Sequence, residues 1–215
     1  MTKEKPTPEE STYLRLLKGR QNIIILDTET TGTDPSQDEL LQISIVGGSG
    51  ELIFDRYVRP TRTNSWPDAQ QVNHISPELV KDAPTIEELL PEIQRIISAA
   101  DCIIGYNVCF DIDFLRWVNC DFPDWSGDNP ACLIIDIMEL FAAIYGDWNA
   151  YYQNYRWQPL VRAASYYQYS WEDAAAHNSL GDCFATLHVW NRMMENGDVA
   201  VAERRIRTAM EQGFP

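Results

Sequence analysis

The run Ile23-Ile24-Ile25-Leu26 leads directly into Asp27-Thr28-Glu29-Thr30-Thr31-Gly32, and no other segment restricts the fold of this chain as much. Four consecutive apolar residues, three of them β-branched and closed by Thr-Gly punctuation, predict a buried central strand over 22–27. Side chains two apart on an extended backbone share a face, so Asp27 and Glu29 can point together. Two carboxylates on one side of a buried strand end repel each other, and one pKa is driven up. A hard, oxygen-seeking cation such as Mg2+ or Mn2+ relieves that conflict. Taken alone, a solvated surface pair is the simpler reading of Asp-x-Glu in so acidic a chain.

The acidity is pronounced. Among 215 residues, 17 Lys and Arg face 32 Asp and Glu, a net charge of −15. Residues 21–190 hold 8 basic and 25 acidic side chains, so the excess sits in the middle. A protein that grips long duplexes through many phosphate contacts needs a basic stripe, so contact with nucleic acid must be local. The length predicts one domain that buries roughly 70% of its unfolded surface. A hydrophobic content of 45% excludes wholesale disorder.

Five cysteines without a Cys-x-x-Cys pair argue against a disulfide framework or structural zinc and fit a reducing cytoplasm. The first ten residues lack the apolar core of a signal peptide. No stretch approaches the ~18 apolar residues of a membrane span. The expectation is a soluble, cytoplasmic protein with no membrane partner.

Periodicity predicts a short helix near 13–17 and a β-hairpin of 40–46 and 51–58 around Gly47, Gly48 and Gly50. A helix over 84–99 with Thr85 as cap precedes a buried strand at Cys102–Gly105. A helix over 110–118, a strand over 132–135 and a helix over 137–144 follow. The last third reads as helices over 158–168, 179–195 and 199–212, with loops at 120–131 and in the aromatic stretch 145–157. The alternation predicts an α/β domain with a mixed sheet.

Two further carboxylate signals stand at strand ends or helix starts. In Gly105-Tyr106-Asn107-Val108-Cys109-Phe110-Asp111, Asp111 falls just inside a helix, where a dipole-stabilising charge is the plain alternative. Asp113, two positions on, faces nearly the opposite way, so only one of them can meet Asp27 and Glu29. In His177-Asn178-Ser179-Leu180-Gly181-Asp182, His177 reads as a loop residue and Asp182 as part of the first helical turns. An exposed loop histidine is the plain alternative there.

Taken together, these segments resemble the DEDDh branch of the DnaQ-like 3′-to-5′ exonucleases. Val58-Arg59-Pro60, His74-Ile75-Ser76, Asp82-Ala83-Pro84-Thr85 and Ile135-Asp136 also look familial, and the likeness covers about residues 22–192. Near residue 73 a common family form is His-Gly-Ile, where this chain has Asn73-His74-Ile75. The resemblance implies a ribonuclease-H-like fold with a five-stranded mixed sheet flanked by helices. It divides the chain into a tail with a short helix (1–20), an exonuclease domain (21–195) and a C-terminal helical extension (196–215).

The resemblance also implies a chemistry. Two divalent ions, Mg2+ or Mn2+, sit about 3.5–4 Å apart, lower the pKa of a bound water and clamp the attacking and leaving oxygens. By resemblance Asp27 bridges both ions, Glu29 and Asp182 support one, and Asp111 supports the other. His177 takes the water's proton, a task that suits an imidazole near pKa 6.5. Thr30, Thr31 and Gly32 are expected to approach the terminal sugar by their backbone. Asn107, Phe110 and His74 are candidate substrate contacts, with strand-end hydrogen bonding and core packing as the plain roles of the first two.

The expected activity is release of nucleoside 5′-monophosphates from the 3′ end of single-stranded nucleic acid, DNA slightly favoured. The alternatives are an exoribonuclease acting on short RNA or RNA 3′ tails, and a non-catalytic acidic adaptor that binds a polymerase or other protein partner. Tyr145, Trp148, Tyr151, Tyr152, Tyr155 and Trp157 offer stacking faces for bases, although packing of a helical lid is the simpler use. Arg156, Arg162, Arg204, Arg205 and Arg207 are the candidate phosphate or partner contacts, against ordinary solvated helix faces.

Overall fold

In the computed structural model, which describes residues 11–128, 130–171 and 178–211, the Ile23–Leu26 run is the core of the central strand. The helix α1 (Thr12–Leu17) precedes it. Strand β1 (Ile23–Thr30) runs past the apolar residues, so Asp27 and Glu29 lie inside the strand and not beyond its end. β2 (Leu40–Gly47) pairs antiparallel with β1, setting Asp27 opposite Ser44 and Glu29 opposite Gln42. β3 (Leu52–Tyr57) returns from β2 through the expected glycine turn, where Gly50 adopts φ 94°. A positive φ costs an L-residue steric energy that glycine avoids.

Two short helices, α2 (Pro67–Asn73) and α3 (Pro77–Val80), follow β3 and were not expected from periodicity. Each opens on a proline, which suits a first helical turn, and neither is long enough to show a 3.6-residue repeat. α4 (Ile86–Ala99) begins at the expected cap, where the Thr85 backbone N–H donates to the Glu88 carboxylate at 2.7 Å. β4 (Cys102–Gly105), α5 (Val108–Trp117), β5 (Leu133–Asp136) and α6 (Ile137–Tyr145) complete the alternation. β1, β4 and β5 run parallel, and the sheet order is β3-β2-β1-β4-β5: five strands and mixed, as expected.

Helices cover both faces. Ile24 and Leu26 pack with α4 and α5 on one side, through Ile93, Ile97 and Phe114. Ile25 packs on the other side with α6, α8 (Ser179–Asn196) and α9 (Asp198–Glu211), through Phe141, Cys183 and Val199. Strand alternation therefore sends Asp27 and Glu29 to the α8 face and Thr28 to the α5 face. The aromatic stretch differs from the expected loop. It folds into a small hairpin of β6 (Trp148–Asn149) and β7 (Asn154–Tyr155), then enters α7 (Leu160–Tyr166). The Trp148 and Tyr155 rings meet edge-on at 5.1 Å across this hairpin.

The first and last described helices meet. Ser11 and the Tyr13 backbone N–H both donate to the Glu203 carboxylate, the latter at 3.0 Å, which fastens α1 to α9. Among the described residues, no helix is long and apolar enough to cross a membrane.

Candidate active site

Asp27, Glu29 and Asp182 bring one carboxylate oxygen each to within 4.8 Å of one another. β1 supplies the first two by its alternation. Asp182 arrives in the first turn of α8, whose start is fastened to β1 and β2 at four points. The Cys183 thiol lies 3.4 Å from the Ser44 carbonyl and 3.7 Å from that of Ile25. Ser179 and Ser44 share a hydroxyl hydrogen bond of 2.6 Å. The Asn178 side-chain amide donates to Gln42 at 3.1 Å. Gln42 and Ser44 both donate to Asp55 at 2.9 Å, which carries the tie across to β3.

Asp111 reaches the cluster from the other side. Thr28, between the two β1 acids, donates its hydroxyl to the Asp111 carboxylate at 2.7 Å. One strand thus holds two carboxylates directly and orients a third through the intervening threonine. Asp113 is exposed on the same helix, so Asp111 is the residue turned inward.

These acids are held in mutual conflict. Burial, then Asp111, Asp182 and Glu29, drive the Asp27 carboxyl well above the usual range. Burial, reinforced by Asp182 and Asp111, pushes Glu29 up to about 8, although a hydrogen bond from Asn73 pulls it back. Burial raises Asp111 as well, while the Thr28 hydroxyl opposes the shift. An all-oxygen set of converging carboxylates with suppressed ionisation is the donor chemistry a hard divalent cation requires. The residues present fit such an ion.

Between its ordinary 4.5 and about 8, Glu29 holds a proton when folded that it has lost when unfolded, so raising the pH through this window lowers stability. With EDTA present, the melting temperature is expected to fall by several degrees from about pH 5 to about pH 8, at roughly 2–4 °C per kcal/mol. Millimolar Mg2+ or Mn2+ is expected to abolish most of that fall. A metal-independent melting temperature across this range would contradict the site.

The other residues expected at the site separate into groups. Thr30 turns its hydroxyl back to the Gly32 carbonyl at 2.5 Å. The Thr31 hydroxyl donates to Asp38 at 3.1 Å and accepts the Glu39 N–H at 2.9 Å. Both threonines thus shape the turn with their side chains. Gly32 is required there, because a Cβ would stand 2.3 Å from the Asp38 carboxylate, which Thr31 and the Asp34 N–H hold in place.

Asn107 adopts φ 64°, and its N–H donates to Asp136 at 3.0 Å. Phe110 is half-buried and packs on Phe114 at 4.9 Å. His74 is exposed in a left-handed cap of α2. Its neighbour Asn73, which sequence reasoning passed over as a candidate, is buried. It donates to the Thr30 carbonyl at 3.2 Å and also bonds Glu29. His177 lies outside the described residues.

With this geometry in place, comparison with known proteins is informative. A family model described as Exonuclease (RNase_T) matches residues 24–190. The DNA polymerase III PolC-type of Thermotoga maritima is 35% identical over 104 residues, covering 46% of this chain and 8% of that protein. E. coli exonuclease I in complex with a dA16 oligonucleotide superposes with a TM-score of 0.63 at 19% identity, covering 82% of this chain and 41% of that one. Exonuclease X bound to 5′ overhanging duplex DNA gives 0.58 at 22% identity, covering 81% and 93%. The chain therefore spans a small part of the polymerase and less than half of exonuclease I.

Proposed function

The chain belongs to the RNase_T exonuclease family, DnaQ-like proteins of the ribonuclease-H-like fold, and from that premise we propose that it is a metal-dependent 3′-5′ exonuclease. It removes nucleoside 5′-monophosphates from the 3′ end of single-stranded nucleic acid, DNA ahead of RNA. The observation that carries this reading is the convergence of Asp27, Glu29 and Asp182 within 4.8 Å. A scaffold has no use for half-buried carboxylates that repel one another. The match of E. coli exonuclease I in complex with a dA16 oligonucleotide supports a single DNA strand as substrate.

Asp27, Glu29, Asp182 and Asp111 would hold two divalent ions, Mg2+ or Mn2+. When bound, these supply charge neutralisation at the scissile phosphate and a nucleophile at neutral pH. His177 accepts the proton of the attacking water. The turn of Thr30, Thr31 and Gly32 offers its backbone to the terminal sugar, and Asn107, Phe110 and His74 border the bound nucleotide. The catalytic unit is 21–195, with 1–20 and 196–215 as extensions. The PolC-type relative supports a polymerase as protein partner. The five free cysteines suit a reducing cytoplasm.

The decisive experiment is digestion of 3′-labelled and 5′-labelled single strands, DNA and RNA in parallel, with Mg2+, Mn2+ or EDTA. Metal-dependent release of label as mononucleotide from the 3′-labelled strand, while the 5′-labelled strand shortens stepwise, is the expected result. Release confined to RNA would make the protein an exoribonuclease. No release from any 3′ end would favour an acidic adaptor.

A further inference from the structure

On the face of the sheet that α4 and α5 cover lies a concavity of about 430 Å3 that the chemistry above does not use. Arg59, Arg62, Ile86, Leu90, Phe114 and Trp117 line it. The topology places it on the same rim as the cluster. β1 ends there, antiparallel β2 begins there, and β3 ends there and leads into Arg59. Asp38, which also lines the cavity, is the residue that the Thr31 hydroxyl holds against Gly32.

Two features point to a nucleotide. Phe110, Phe114 and Trp117 stand at i, i+4 and i+7 on α5, a stripe roughly 60° wide at 100° per residue. Phe114, in the middle of the stripe, is buried in the core with 2% of its surface exposed, so Trp117 is the ring that the cavity offers to a base. Phe110 contacts Phe114 at 4.9 Å, and Trp117 ends the row with 55% of its surface exposed.

The second feature is Arg59. Half-buried in a chain of net charge −15, it joins none of the ion pairs among the described residues, and its Nε donates only to the Ala83 carbonyl at 3.3 Å. The acids nearby are mostly satisfied. Glu39 accepts the N–H groups of Thr61, Arg62 and Thr63 at 2.8, 2.9 and 2.7 Å. Asp38 accepts from Thr31 and Asp34. Of the three acids that line the cavity, Glu87 is the exposed one.

We propose that this cavity is a subsite for the nucleotides on the 5′ side of the scissile bond, with a base against Trp117 and a backbone phosphate on Arg59. The inference rests on the exonuclease reading and adds to it where the strand lies. Base stacking of the usual strength implies that Trp117→Ala weakens a long substrate roughly 5- to 150-fold.

The test is steady-state hydrolysis of a dinucleotide and an octanucleotide, in the sugar series the unaltered protein cleaves. Trp117→Ala and Arg59→Gln are expected to raise KM for the octanucleotide while leaving its kcat and all dinucleotide kinetics unchanged. Trp117→Phe is expected to retain most of the affinity, and Arg59→Gln to flatten the salt dependence of KM. Unchanged octanucleotide KM in both variants overturns the subsite, as does an equal loss on both substrates. Failure of the unaltered protein to cleave either length overturns the exonuclease reading itself, and the subsite with it.

Discussion

Asp27→Asn is expected to lower hydrolysis at least ~10²-fold and, in the same protein, to raise the melting temperature when metal is absent. The activity loss follows from charge. Replacing residues that only support metal ligands already costs about 10–100-fold, and Asp27 is a ligand candidate in its own right, oxygen to oxygen within 4.8 Å of Glu29 and Asp182. Asparagine keeps the shape and loses the negative charge that would bind the ions.

The stability gain has the same origin. Metal-free at about pH 8, Asp27 faces Asp111, Asp182 and Glu29 from a buried position, and every one of those interactions opposes its ionisation. Asparagine cannot ionise, so it removes the conflict with all three, at roughly 2–4 °C per kcal/mol in a chain of this size. Activity and melting temperature measured with EDTA and with Mn2+ check both halves. More than a tenth of the activity retained would sink the metal assignment. A lower melting temperature in EDTA would show that the carboxylate is satisfied by the fold alone.

This opposition between stability and function also explains what was legible in the sequence. Ile23–Leu26, the glycine hairpin, the Thr85 cap and the long apolar repeats of α4 and α8 follow from local pattern, and the structure places them close to where the pattern does. The pairing of Asp27 with Glu29 follows from strand alternation, and Asp182 from its place in a helix start. What was hidden depends on cross-strand register. Gln42 meets Asn178 because it lies opposite Glu29. Thr28 reaches Asp111 because α5 covers the face to which alternation turns it. Neither relation has a signature within ten residues of either partner.

Asn73 was legible only in part. His74 beside it looked like the functional residue, yet a left-handed cap leaves the histidine outside while Asn73 turns in beneath Thr30. α2 and α3 were missed because seven and four residues are too few for a periodic signal. The acidity now divides. Four acids are assigned to the proposed site, and Asp38 and Glu39 near Arg59 accept N–H and hydroxyl groups of Thr31, Asp34, Thr61, Arg62 and Thr63, which leaves Arg59 outside the ion pairs of the described residues.

His177→Ala is expected to reduce kcat by about 10²–10⁴ without altering the melting temperature. The chain has three histidines, and the side chain of one is committed elsewhere. His188 meets the Tyr167 carbonyl at 2.9 Å and packs on Tyr169 at 5.1 Å. His74 stands exposed at the cap of α2, which it makes with its backbone N–H. His177 is one peptide bond from Asn178, whose side chain bonds Gln42, the cross-strand partner of Glu29.

The carboxylates would make poor bases with a cation bound, because the positive charge lowers their affinity for a proton. An imidazole near pKa 6.5 is half-charged just below neutrality, so the unaltered enzyme is expected to lose kcat toward acid pH. The variant is expected to lack that limb, and its deficit to narrow toward alkaline pH as hydroxide replaces the missing base. Retention of more than a tenth of kcat at neutral pH, or an unchanged acid limb, would assign the proton to another group.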